Sequence, residues 1–474
     1  MAGLGTASDG SRVTVVVIDT PGLGDRSYLV HDGRVALVVD PQRDIDRALE
    51  RARAEGVRIT HVAETHIHND YVTGGFALAE ATGASYLVNA EDRVSFDRIG
   101  VHDGEVIRVG EMSVRVMHTP GHTHTHLSYA VAFGAETVAV FTGGSLLYGS
   151  TGRPDLLGPD HTAQLVRAQW HSAHRLADEL PDETAVYPTH GFGSFCSATQ
   201  CGDLASTIVR ERRHNPALTR DEAAYVAELL AGLDAYPAYY AHMAPANSAG
   251  PRAPELSLPA LADPAELRAR IERGEWVVDL RAGTAFAAGH LAGSLSFPLD
   301  GQFVTYLGWL LPWGTPITLL GETVGQVAAA QRELVRIGLD RPAAMGTGGP
   351  DRWAGAEAEL ASYRRASFAE LAAALDSDKP PVVLDVRRAQ ERRAEFLPGS
   401  THIPIHEVLD RLDEVPTGPV WVHCAGGYRA GVVTALLAAR GHDVVAVDDA
   451  FDHARQLGLT VTPTTTPMTK ENVA

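Results

Sequence analysis

Cysteine is scarce in this chain: three residues in 474, Cys196, Cys201 and Cys424. Three thiols cannot staple a chain of this length, so it is expected to fold on hydrophobic cores in a reducing compartment, the cytoplasm. Basic charge is also short, with 40 Lys+Arg against 59 Asp+Glu and a formal net charge of −19. That balance repels phosphate backbones and anionic lipid, and no basic patch offsets it, so no nucleic acid and no membrane partner is expected. No apolar run approaches the roughly 18 residues a spanning helix needs, and the first residues lack the basic-then-apolar order of a secretion signal. What is plentiful is histidine, 21 residues, clustered as His66 and His68, then His118, His122, His124 and His126, then His190.

At roughly 100–200 residues per domain the length predicts about three domains. Short β-rich runs alternate with turns over 12–40 and recur at 57–63 and 113–117, with helical patterns at 43–54, 74–82, 160–178 and 219–233, which describes a layered α/β unit. A Pro/Ala/Ser-rich stretch over 244–264 then marks a boundary. Beyond it the chain repeats itself at an offset of 106: WVVDLR ends at Arg281 and VVLDVR at Arg387, and GHLAGSLSFPL (289–299) matches EFLPGSTHIPI (395–405). Each copy opens with a helical pattern, at 264–273 and 367–376, and each carries a later buried strand feeding a turn, PITLLGETVGQ (316–326) and PVWVHCAGGYR (419–429).

In the second copy the apolar strand delivers Cys424 to the loop Ala425, Gly426, Gly427, Tyr428, and Arg429 opens a helical run. Backbone N–H groups converging at such a turn, a helix N-terminus and a nearby guanidinium favour thiolate over thiol, and the two glycines allow the backbone to curl into an anion-binding nest. A lone buried cysteine is more often structural, but the glycine pair and Arg429 reverse that preference. These residues, with Asp385, Arg387, Gly399, Ser400, Ile403 and Pro404, resemble rhodanese (sulfurtransferase) domains over about 366–460, and the resemblance implies a catalytic persulfide on Cys424. In the first copy Gly321 and Gln326 stand at the thiol and arginine positions, so that copy resembles the inactive half of tandem rhodaneses.

The histidines fall at HIHND (His66, His68, Asp70), in PGHT (His122) and in PTHG (His190). Imidazoles converging from several strand ends suit a transition metal. In an extended segment His66 and His68 would point the same way, and Pro120–Gly121 fixes His122 in a turn. The set resembles the metallo-β-lactamase fold over about residues 12–245. The loop GRPDLLG (152–158) with Arg153 and the region 191–218 resemble its persulfide dioxygenase branch, which implies one Fe(II) per chain, with Zn(II) as the alternative. Two positions depart from the family pattern: Tyr71 replaces a histidine and Gly144 replaces the metal-ligating aspartate. A hydrolytic site with two metals needs both residues. A single metal on His66, His68 and His122 is therefore expected, with Asp70 and His190 as further ligands or supporting groups and Arg153 as a cation on the substrate loop.

The expected fold class is thus α/β, a metallo-β-lactamase αββα sandwich followed by two rhodanese-like α/β domains. The expected division is a first domain at 1–245, a linker at 246–262, an inactive rhodanese-like domain at 263–360, an active one at 366–460 and a flexible tail at 461–474. The implied partners are a low-molecular-weight thiol persulfide with sulfite or thiosulfate, and the resemblance leans towards a homodimer. Three functions compete: persulfide oxidation coupled to sulfur transfer, a sulfur relay with a degenerate N-terminal domain, and a zinc hydrolase of the glyoxalase II type.

Overall fold

The computed structural model describes residues 2–6, 12–198, 204–355 and 360–462, so Cys201 and most of the C-terminal stretch lie outside the described residues. Chain contacts divide it into two units, Met1–Leu256 with Val304–Gly308 and Gln331–Arg341, and Ser257–Phe303 with Trp309–Ala330 and Pro342–Ala474. No described helix is long and apolar enough to cross a membrane.

The first unit is built on two sheets. One has seven strands in sequence order from Ala2–Thr6 to Ile99–Val101, and the other runs Ser206–Thr207, Ala185–Pro188, Glu136–Gly143, Leu127–Phe133, Met112–His118, Val106–Val109. Alternate residues on a strand face opposite ways. Tyr28, Val30, Leu37 and Val39 therefore pack with Val114, Val116, Tyr129 and Phe141 in the core between the sheets. Their neighbours Leu29, Val38 and Val62 join Ala48 and Ala52 of helix Asp46–Glu55 and Leu78 of helix Gly75–Thr82 on one outer face. Met117, Ala130 and Val140 join Leu176 of helix Pro159–Glu179 on the other. Helices on both outer faces of two packed sheets make the expected αββα sandwich. Helix Tyr240–Ser248 runs into the stretch read from sequence as linker, and its buried Asn247 side chain donates to the carbonyls of His68 (2.9 Å) and Tyr71 (2.8 Å).

The second unit holds two parallel sheets. In the first repeat the order is Leu295–Ser296, Trp276–Asp279, Ile317–Gly321, Ala344–Thr347. In the second it is Arg364–Ala366, Val444–Val447, Val420–His423, Val382–Asp385, Thr401–His402. The helices opening the repeats, Pro264–Glu272 and Phe368–Leu375, are capped by Asp263 and by a reciprocal Ser367–Glu370 box, which satisfies N–H groups that a helix start leaves unpaired.

Candidate metal centre and thiol loop

The metal-binding candidates stand where strands of both sheets end. His66, His68 and Asp70 follow strand Arg58–Ala63, His122 follows Met112–His118, and His190 follows Ala185–Pro188. All five are buried. His66, His122 and His190 each offer a ring nitrogen within 4.8 Å of the others, and His190 Nε2 lies 3.4 Å from His66 Nε2.

The second ring nitrogen of each is held so that Nε2 is left to face the centre. The carbonyl of Arg153 can only accept, so His122 Nδ1 carries the proton across 2.8 Å. Thr65 Oγ1 donates to Asp40 Oδ2 (2.7 Å) and so accepts from His66 Nδ1 (2.9 Å). Asp25 Oδ1 takes the Nδ1 proton of His190 at 2.9 Å. Fixing the tautomer through the far nitrogen is how proteins orient imidazole ligands. His122 Nε2 is buried with no hydrogen-bond partner, and so is Asp70 Oδ1. Buried polar atoms left unpaired are costly unless a ligand takes them up. The residues present therefore fit a bound cation.

The electrostatics agree. Burial and the surrounding histidines push His66 well below the usual imidazole range, and burial with His190 takes His122 to about 3, so both are neutral and able to ligate. Burial alone would lower His190 as well, but the Asp70 and Asp25 carboxylates outweigh it and raise it to about 10. Ligation there would displace the Nε2 proton and leave two carboxylates facing the added charge.

His68 lies close to His66, with ring centroids 4.1 Å apart, yet its Nε2 is directed elsewhere, 3.0 Å from Tyr71 Oη, 3.2 Å from Asp40 Oδ1 and 3.3 Å from Glu64 Oε2. Holding Nε2 there leaves the other ring nitrogen, Nδ1, buried with no hydrogen-bond partner, so this nitrogen stays open to a ligand. His68 also groups with Asp70 and His190 through potential ligand atoms within 4.8 Å. Arg153 is not a free cation on a substrate loop. It is buried, paired with Asp155 at 2.7 Å through two nitrogens, and donates to the carbonyls of Phe195 and Asp234. Its contribution to the centre is the carbonyl that orients His122.

Gly144 has a steric reason. A Cβ there would lie 2.3 Å from His122 Cδ2, and the Gly144 N–H donates to His126 Nε2 at 2.9 Å. His126, Asp25, Asp40 and Thr65 were not singled out from the sequence. The crowding of histidines after Pro120 was a signal for His126, whereas nothing local distinguishes Asp25 or Asp40 from surface carboxylates. Cys196 is a buried free thiol whose pKa is pushed well up by burial and then by Asp70 and Asp25, which disfavours the thiolate.

In the second unit Cys424 follows strand Val420–His423 and is almost fully buried. Its Sγ accepts the Gly427 N–H at 3.1 Å. Gly427 has φ +92, and a Cβ there would fall 2.0 Å from Asp448 Oδ1, so the curl of the loop requires glycine at this position. Arg429 forms two hydrogen bonds to Glu391, 2.6 and 2.7 Å. Gly426, Gly427 and Tyr428 line a cavity of about 250 Å³ with Ser296, Asp300 and Asp448. Ala425 ties the loop down by accepting from Phe451 N at 2.9 Å.

Residues 21–190 match the Metallo-beta-lactamase superfamily, and residues 367–454 match the Rhodanese-like domain. The chain is 33% identical over 224 residues to a hydroxyacylglutathione hydrolase of Methylococcus capsulatus, covering 45% of this chain and 82% of that protein. A second hydroxyacylglutathione hydrolase, from Maricaulis maris, is 32% identical over 183 residues, 36% of this chain and 64% of its own length. Persulfide dioxygenase ETHE1, mitochondrial, of Homo sapiens is 27% identical over 199 residues, 42% of this chain and 70% of that protein. A crystal structure of a metallo-beta-lactamase from Staphylococcus aureus subsp. aureus COL aligns with 70% of this chain and 98% of its own at 28% identity and a TM-score of 0.63. The chain belongs to the metallo-beta-lactamase superfamily. Within it, the chain joins that fold to a rhodanese-like domain and has a persulfide dioxygenase among its relatives.

Proposed function

We propose that the first unit oxidises a low-molecular-weight thiol persulfide to sulfite at a single metal ion, and that Cys424 moves sulfane sulfur among that thiol, sulfite and thiosulfate. The observation that carries the reading is Gly144. With His122 Cδ2 only 2.3 Å from where a Cβ would stand, this strand end has no room for a carboxylate to bridge two ions, and hydrolysis at a two-metal centre loses its geometry.

His66, His122 and His190 would hold the ion, with Asp70 and the unpartnered Nδ1 of His68 close to the His190 side of the site. Fe(II) would supply the one-electron chemistry that O2 requires and that Zn(II) lacks. The overall change is persulfide anion plus O2 and water to thiol, sulfite dianion and a proton. The residues around the ion keep it in register: Arg153, Thr65 and Asp25 each hold an Nδ1 proton, and burial excludes bulk water.

At the other site the Cys424 thiolate attacks the outer sulfur of the donor, the donor S–S bond breaks, and the donor thiolate or sulfite leaves with the bonding pair. An acceptor then attacks the terminal sulfur of the Cys424 persulfide and restores the thiolate, with no net oxidation. The loop amides, including Gly427 N–H, stabilise the negative sulfur in both half-reactions.

Metal analysis of anaerobically purified chain combined with O2 uptake tests the reading. One iron per chain and O2 consumption with glutathione persulfide are expected. Two zinc ions with thioester hydrolysis would replace it with the hydrolase reading that the names of several relatives favour. No metal and no O2 uptake, with Cys424-dependent transfer intact, would leave a sulfur relay.

A further inference from the structure

Arg429 stands at the start of the helix that carries the thiol loop, and Glu391 reaches it from helix Ala389–Ala394. The pairing is bidentate, Nη1 to Oε2 at 2.6 Å and Nη2 to Oε1 at 2.7 Å, the geometry in which a guanidinium and a carboxylate fit most specifically. Burial would raise the Glu391 carboxyl, but Arg429 holds it below the usual range. Glu391 also accepts from the Arg388 N–H at 2.9 Å.

The first repeat is an internal control. It keeps the ion pair that closes the frame, Asp279 with Arg281, as the second keeps Asp385 with Arg387. It lacks both members of the loop pair together: Ala285 occupies the Glu391 position and Gln326 the Arg429 position. There the Gln326 carboxamide oxygen accepts from Glu322 N at 2.6 Å, so the side chain fills the turn that the thiol faces in the second repeat. A repeat folds without Glu391 and Arg429, and the pair is present where the cysteine is present. Its role therefore lies with the thiol rather than with the fold.

We propose that Glu391 is a specificity-determining positioning residue of the Cys424 site, neutralising Arg429 so that organic persulfides are favoured over the thiosulfate dianion as sulfur donors. The inference rests on the reading of Cys424 as a sulfur-transfer nucleophile. In both transfers the thiolate attacks the outer sulfur and the donor S–S bond breaks. Thiosulfate releases sulfite dianion, whereas an alkyl persulfide releases a singly charged thiolate. Only thiosulfate brings a second charge to the guanidinium, and the Glu391 carboxylate opposes it.

The test is steady-state transfer to cyanide from thiosulfate and from a short alkyl persulfide, in the full chain and in Glu391→Gln. Removing the carboxylate charge should lower KM for thiosulfate about tenfold with kcat within about twofold, and leave the alkyl persulfide constants within about twofold. High salt should shrink that gain, since screening weakens a charge effect at a partly exposed pair. A parallel change with both donors, or a fall in kcat for both with their KM ratio unchanged, overturns the inference. The double substitution Glu391→Ala with Arg429→Gln copies the first repeat and should keep the hydrogen-exchange protection of strand Val420–His423; a collapse of that protection assigns the pair to the fold and overturns it as well. Absence of Cys424-dependent transfer from either donor in the unsubstituted chain overturns the reading of the thiol itself, and the inference falls with it.

Discussion

The two C-terminal repeats can be laid over each other residue by residue. Arg281 bonds Asp279 Oδ2 at 2.6 Å and Arg387 bonds Asp385 Oδ2 at 2.7 Å, and each arginine also donates at 2.8 Å to a carbonyl eight residues after the aspartate-arginine turn, Gly289 or Glu395. Ser294 and Ser400 close the following turn on Leu291 and Leu397 at 2.6 Å in both, with Gly293 and Gly399 at φ +82 and +78. The difference lies in the next strand and its turn. Leu320, Gly321 and Gln326 stand in one copy, and His423, Cys424 and Arg429 in the other. The frame is held by buried polar pairs present in both copies, and the cysteine and arginine stand at one strand end without altering them.

The sharpest way to separate the copies is Cys424→Ser, which should reduce sulfane transfer by at least about a thousandfold while leaving O2 uptake by the first unit intact. Loss of O2 uptake in that variant would show that the two chemistries are not divided between the units. The frame, by contrast, should be sensitive in both copies. Asp279→Ala and Asp385→Ala each strand a buried arginine and should cost about 3–5 kcal/mol within their own repeat. Hydrogen exchange on strands Ile317–Gly321 and Val420–His423 reads the two losses separately. The second should be the larger, because Arg392 also bonds Asp385 at 3.1 Å and would be stranded too.

A smaller contrast concerns acid. His423 lies between Phe368 and Phe451, each 5.7 Å away by ring centroid, and neither of its ring nitrogens has a hydrogen-bond partner. Burial, assisted by Arg387 and opposed by Asp385, lowers its pKa from 6.5 to about 4. A histidine depressed in the folded state contributes stability that is complete above pH 6.5 and is lost as pH falls towards 4, amounting to about 3 kcal/mol. Leu320 holds the matching place in the first repeat. His423→Leu should therefore remove most of that pH dependence from exchange on Val420–His423 and leave Ile317–Gly321 unchanged, and equal acid sensitivity before and after the substitution would refute the assignment.

Most of this frame was legible in the sequence because it is written in local patterns. Period-two apolar strands gave the sheets of the sandwich, and the offset of 106 between Asp279 and Asp385 gave the repeats before any contact was known. The thiol loop was legible for the same reason, since Cys424, Gly427 and Arg429 act within six residues of chain. The metal centre was legible only in outline. Its histidines converge from three strand ends, and which nitrogen each presents is set by partners far away in sequence: Asp25 for His190, Asp40 through Thr65 for His66, and the Arg153 carbonyl for His122. The spacing of His66 and His68 brings the rings close but does not set which nitrogen each presents, since Tyr71, Asp40 and Glu64 hold the His68 Nε2 and leave its Nδ1 unpartnered. Asn247 escaped notice because a Pro/Ala-rich composition conceals that one residue of it is buried against the His68 loop.

The tight seat of His122 over Gly144 also limits what a substitution at this position can do. An aspartate at 144 would drive its Cβ into the imidazole, and the backbone there is already pinned through the Gly144 N–H to His126. Any side chain at residue 144 therefore has to displace His122, so added charge at this strand end and an undisturbed imidazole exclude each other in a single step.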